Sequence, residues 1–134
     1  MMKVAVSFVS SLVCMLTIDA IWLKIMSKAF YTRHIGQLMA ATPRLLPAGI
    51  FYLIYTFALT FLVVIPALQN NFSLTKTFAL GALFGLAAYA TYDLTNQATI
   101  KNWPTIVTVV DLIWGALLTG VVATAAFLIT KHFS

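Results

Sequence analysis

Four long apolar stretches alternate with short polar ones along this chain, at about residues 4–26, 45–68, 74–98 and 104–130. Each has the roughly 20 residues needed to cross a hydrocarbon core ~30 Å thick. None shows the strict alternation of a half-buried strand, and in lipid only helices or closed barrels satisfy the backbone. The pattern predicts an all-α membrane protein, with four transmembrane helices in one bundle and a single domain over 1–134.

The polar intervals predict how the spans are joined. Within 27–42, Tyr31, Ile35, Leu38 and Met39 fall on one side of a helical projection. Lys28, Thr32, Arg33, Gly36 and Gln37 fall on the other. That suits a short amphipathic helix lying on the headgroups between helices 1 and 2, with a polar loop as the alternative. Pro43 and Pro47 frame the start of the second span, because proline suits a helix's first turn. Pro66 with Gln69-Asn70-Asn71 is expected to close it, and Ser73 to cap the third. Asn102 is expected to cap the fourth, with Pro104 in its first turn and Trp103 at the interface. The short link 99–104 makes the last two spans antiparallel neighbours.

Composition agrees: 62% of residues are hydrophobic and 8% charged, which excludes an ordinary soluble domain. The net charge of +5 sits in flanks and loops, so it is read as contact with membrane lipids and not nucleic acid. Cys14 is the one cysteine, so no disulfide forms within the chain. His34 and His132 lie outside the spans, which argues against haem or a histidine-rich di-iron centre, and no cofactor or metal is expected. The first apolar run exceeds the 7–15 residues of a signal peptide's core and is read as a retained span. Lys24, Lys28, Arg33, Arg44 and Lys101 fall on one side of the membrane, Lys3, Lys76 and Lys131 on the other. Positive-inside counting then places both termini outside.

The acidic residues change the picture most. Asp19, Asp93 and Asp111 are the chain's only ones, and all lie within apolar spans. A carboxylate there costs roughly 2.5–3.5 kcal/mol on insertion scales, so such groups face a bundle interior and mark a site. Counting ~1.5 Å per residue from the span ends sets all three at similar depth in one leaflet, roughly 8–11 Å below its surface. Helical spacing puts Tyr89, Tyr92, Asp93 and Asn96 on one face of the third span. It groups Thr108, Asp111, Trp114 and Gly115 on the fourth, and Asp19 with Trp22 on the first. Tyr52 and Tyr55 come at matching depth on the second. The expectation is one pocket lined by carboxylates, phenols, an amide and two indoles. Three carboxylates at close quarters are not expected to be ionised together unless a cation binds.

Two shorter patterns have open readings. Asp19-Ala-Ile-Trp22 is echoed by Asp111-Leu-Ile-Trp114, as a repeat or as coincidence with the liking of Trp for interfaces. Gly81-Ala-Leu-Phe-Gly85 permits close helix approach, within one bundle or between two chains of a homodimer.

The run from Gly81 to Asn96, ending Tyr92-Asp-Leu-Thr-Asn96, is followed by Trp103-Pro104 and Asp111-Leu-Ile-Trp-Gly115. With Asp19-Ala-Ile-Trp-Leu23 and Phe51-Tyr52, it resembles a family of small bacterial integral-membrane proteins. That family is catalogued as a domain of unknown function, number twenty-one seventy-seven. The resemblance implies a four-span protein of the bacterial inner membrane and carries no reaction with it. From the residues, the leading expectation is binding or transport of a lipid-like or cationic molecule, with proton coupling through Asp93 or Asp111. The alternatives are a carboxylate-based lipid-modifying enzyme and a non-catalytic accessory subunit of a membrane complex.

Overall fold

A computed structural model describes residues 1–133. Its four long helices are α1 (Met2–Leu38), α2 (Leu45–Gln69), α3 (Leu74–Thr99) and α4 (Thr105–Phe133), each long and apolar enough to cross a membrane. There is no strand among the described residues. The fold is an all-α membrane bundle.

α4 is its axis, packing along both α3 and α1, while α2 lies against α1. The reason is visible in side-chain size. Thr77, Gly81, Gly85 and Asp93 form the buried stripe of α3. A Cβ on Gly81 would come 2.7 Å from Ala123 Cβ and 2.8 Å from the Thr119 carbonyl oxygen, so only glycine permits this approach. Gly115 and Gly120 of α4 in turn receive the rings of Tyr89 and Phe78. The GxxxG run is therefore used inside the bundle. On α1 the buried stripe is Ser7, Ser11, Met15 and Asp19, and Ser7 pairs with Thr130 of α4 through a 3.0 Å hydroxyl contact. Between them lies an apolar core that includes Met15, Leu59, Val64, Leu118, Val122 and Phe127.

Two joints differ from the sequence expectation, and a third holds a detail that it did not contain. The segment after Met26 is helical as expected, but it does not break away as a separate interfacial helix. A π-turn at Ser27–Tyr31 joins it to α1, which runs on to Leu38. α2 closes at Gln69, within the stretch expected to end it, and Pro66 lies inside its last turns. A second π-turn, Thr60–Val64, precedes it, and the helix continues to Gln69. Proline removes an N–H and crowds the carbonyl four residues back, and a locally widened turn relieves both. Finally, α4 begins at Thr105, after Pro104. Asn102 sits in the turn before it at φ 63°, a left-handed conformation that asparagine tolerates well. Ser73 does cap α3, its Oγ accepting the Lys76 N–H at 3.1 Å.

Candidate functional site

At the end of the bundle where α1 leads into its extension, the helices part around a cavity of about 510 Å³. This is within the range of small-molecule sites. α1 supplies a wall at intervals of four, Asp19, Leu23, Ser27, Tyr31 and Ile35, and Met39 just past its end continues the series. In a regular α-helix that spacing drifts about 40° per step. The π-turn at Ser27–Tyr31 adds a residue to the turn and keeps the series on one side. α2 contributes Phe51 and Tyr55, and α3 contributes Ala88, Tyr89 and Tyr92. Trp103, Asp111 and Trp114 complete the lining from the last loop and α4.

Two of the three carboxylates face this space. Asp19 accepts the Tyr52 hydroxyl at 2.5 Å on one oxygen and the Trp114 indole N–H at 3.1 Å on the other. Asp111 accepts the Tyr31 hydroxyl, and Tyr31 Oη accepts the Trp22 indole N–H at 3.2 Å. The Trp22 and Trp114 rings stack, with centroids 4.1 Å apart and planes 8° from parallel. The Asp-x-Ile-Trp echo thus has a structural meaning. Antiparallel α1 and α4 set the motifs against each other, so each tryptophan serves the other's aspartate, directly or through Tyr31. Offset stacking of this kind adds roughly 0.5–1.5 kcal/mol beyond the area buried.

Asp93 is placed differently from the sequence expectation. It is fully buried at 0% exposure on the α3–α4 contact stripe, and is not part of the cavity wall. No N–H or hydroxyl donor of the described residues reaches its oxygens; the group facing them is the Asp111 carboxyl. Two carboxyl groups hydrogen-bond only when one holds a proton, so a shared proton is the way in which these two could satisfy each other. Among the described residues no three acidic, histidine or cysteine side chains converge as a metal-binding group. The expected triad is therefore a pair, Asp93–Asp111, with Asp19 apart from it.

The other expected residues divide as well. Trp22, Trp114, Tyr55 and Tyr89 line the cavity with Asp19 and Asp111. Tyr92 lines it from the rim, 58% exposed, with Asn96 beside its phenol and off the wall. Tyr52 is behind the wall and acts through Asp19. Tyr92 and Asp93 do not share a face because α3 turns about 100° between consecutive residues, and the glycine stripe draws Asp93 against α4.

Two lining residues differ from what the sequence pattern suggests. Trp103 is 8% exposed, its indole N–H bonded to Thr108 Oγ1 at 3.1 Å, and is not an interfacial anchor. Tyr31 is not on the apolar side of a surface helix but in the cavity wall. The available signal is the four-residue series from Asp19 to Met39, legible only if α1 is allowed to continue. Replacing Tyr31 by Phe removes the link between Trp22 and Asp111. Tyr31→Phe is expected to cost about 1–3 kcal/mol in detergent unfolding, as for a bond to a charged group. Stability equal to the parent's would show that the link contributes nothing.

All three tryptophans of the chain line the cavity, and all five tyrosines line it or touch its carboxylate network. Interfacial belts would set Trp and Tyr at both membrane surfaces, facing lipid. Here they gather at one end, and all but Tyr92 at the rim are buried or half-buried.

No curated protein and no solved structure matches the chain. A family described as "Predicted membrane protein (DUF2177)" matches residues 4–128, nearly its full length. The chain belongs to that family of membrane proteins.

Proposed function

We propose that the cavity binds a membrane-soluble cation, an amphiphile with an apolar body and a positively charged nitrogen, for carriage or exchange across the bilayer. The observation that supports this is the cavity itself: Asp19 and Asp111 form its acidic part, and no lysine, arginine or histidine lines it. Even with one proton shared by Asp93 and Asp111, the site keeps negative charge in a low-dielectric setting. A cation supplied by the ligand would balance it, and the Trp and Tyr faces would add cation–π attraction of about 0.5–2 kcal/mol. Each Asp19 oxygen accepts one bond and has a lone pair left for the ligand.

The rim supports the apolar half of the ligand. Leu23, Met39, Phe51 and Tyr92 both line the cavity and are exposed on the outer surface of the bundle. None is charged. At this end α2 stands away from α3, which it meets chiefly through Thr60–Val64. A mouth with such a rim favours access from the lipid. In the same reading the protein belongs to a bacterial inner membrane with both termini outside, so that the acidic end lies in the cytoplasmic leaflet.

Native mass spectrometry of the purified protein, with identification of retained small molecules, tests this directly. Titration with dodecyltrimethylammonium adds a defined probe, read by tryptophan emission, since every indole borders the cavity. Binding is expected in the parent and should weaken at least about tenfold in a folded Asp111→Asn variant, the equivalent of ~1.4 kcal/mol. A parent that retains nothing and ignores the probe overturns the reading and favours the accessory-subunit alternative. A retained compound that emerges chemically altered favours the lipid-modifying enzyme.

A further inference from the structure

The opposite end of the bundle carries a second, smaller hollow of about 170 Å³, lined by Lys3, Leu68, Asn71, Phe127 and Lys131. Its chemistry is the reverse of the first. All three aspartates lie in or beside the large cavity, so neither lysine has an acidic side chain within reach. Lys76, the third lysine at this end, is held 3.9 Å over the Phe72 ring, while Lys131 Nζ stands 5.5 Å from the centroid of Phe127, a residue of the hollow itself. Lys3 and Lys131 are left to share the hollow.

Their spacing is set by the fold. Ser7, one turn after Lys3, and Thr130, next to Lys131, tie α1 to α4 by a 3.0 Å contact. The Asn71 side of the hollow is equally determined. The Asn70 N–H bonds the Pro66 carbonyl at 3.0 Å and the Phe72 N–H bonds that of Ala67 at 2.9 Å. Asn71 between them takes φ 53°. An independent feature points the same way. The first turn of α1, where Lys3 sits, has no side-chain cap and no acidic residue. Its free N–H groups and positive dipole end favour an anion, and no acidic side chain of the described residues stands there. Leu68 and Phe127 give the hollow an apolar floor.

We propose that Lys3, Lys131 and Asn71 form a phosphate site, occupied by the headgroup of an anionic membrane lipid. The two ammonium groups take the phosphate oxygens, the Asn71 amide donates a further hydrogen bond, and the glycerol and first methylenes lie on Leu68 and Phe127. The site holds the ends of α1 and α4 to the leaflet opposite the cation cavity. It does not depend on what that cavity binds.

The full chain, purified in a neutral detergent, is titrated with phosphatidylglycerol and bound lipid is read by native mass spectrometry. Lys3→Gln/Lys131→Gln is expected to weaken retention roughly 25-fold, from about a factor of five per lysine near the membrane surface. Lys24→Gln/Lys28→Gln removes the same charge at the other end and should retain lipid as the parent does. Equal loss in both doubles would overturn the proposal by showing diffuse attraction alone. Lipid retained through an excess of inorganic phosphate supports the headgroup as the occupant. Displacement by inorganic phosphate at comparable concentration overturns that assignment in favour of a free-phosphate site. Circular dichroism of each double confirms that lost binding is not lost fold.

Discussion

Gly85→Ala is expected to disrupt the bundle, while Gly49→Ala leaves it intact or slightly more stable. The two positions differ in what a single methyl group would meet. At Gly85 it would overlap the Gly115 carbonyl oxygen and stand 2.5 Å from Thr119 Oγ1. The first of these is backbone of the central helix, so no rotamer change relieves it. α3 and α4 must separate, and with them the contacts that hold Asp93 against Asp111 and Tyr89 against Gly115. Overpacking in a well-filled interior costs about 1–3 kcal/mol, more where backbone is struck. A loss of at least ~3 kcal/mol is expected here on that basis. At Gly49 nothing lies within 4 Å, and alanine gains up to about 1 kcal/mol in helix propensity. Thermal unfolding of both variants in one detergent decides the matter. Equal midpoints would mean that the α3–α4 approach is not as close as described.

The second large effect concerns Asp93. Asp93→Asn is expected to keep the fold, because an amide N–H₂ can donate to the Asp111 carboxylate in place of the shared proton. Asp93→Ala removes the donor and leaves a void on the buried stripe. It deprives Asp111 of the group facing it on α3, and should cost about 2–4 kcal/mol from unsatisfied polarity and cavity together. The expected order of unfolding midpoints is the parent and Asp93→Asn together, with Asp93→Ala well below both. If the asparagine variant falls as far as the alanine one, the pair is not held by a proton. Probe binding adds a functional reading. In Asp93→Asn the Asp111 carboxylate has no proton to share, so the variant should bind dodecyltrimethylammonium at least as tightly as the parent.

Both experiments bear on how much of the site was legible in the chain. That the three aspartates come at one end of the bundle follows from residue counting alone, since α-helices advance a constant ~1.5 Å per residue. Asp19 and Asp111 do meet one cavity, and Trp22 and Trp114 meet each other. Direction around the helix was less readable. Tyr92 and Asp93 are adjacent in sequence, and either could have led α3 inward. Packing chose Asp93, because Gly81 and Gly85 continue its stripe at intervals of four and admit α4. The inward turn of Tyr31 and Trp103 is hidden for a similar reason. Interfacial anchoring is the usual lot of an aromatic near a span end, and only a tertiary partner overrides it. Asp111 and Thr108 are those partners.

The sequence by itself determined that this is a four-span helical membrane protein, which end of it holds the acidic groups, and which residue types gather there. Hydropathy and helical rise are local properties, and lipid leaves the backbone no other way to satisfy its hydrogen bonds. The tertiary structure alone decided that α1 continues past Met26 as a wall of the cavity. It also decided that Asp93 leaves the cavity wall for the buried α3–α4 stripe, where it faces Asp111. Each of these depends on the rotation of one helix against another. A single π-turn or glycine contact shifts that rotation by a whole residue, and periodicity within one helix carries no record of it.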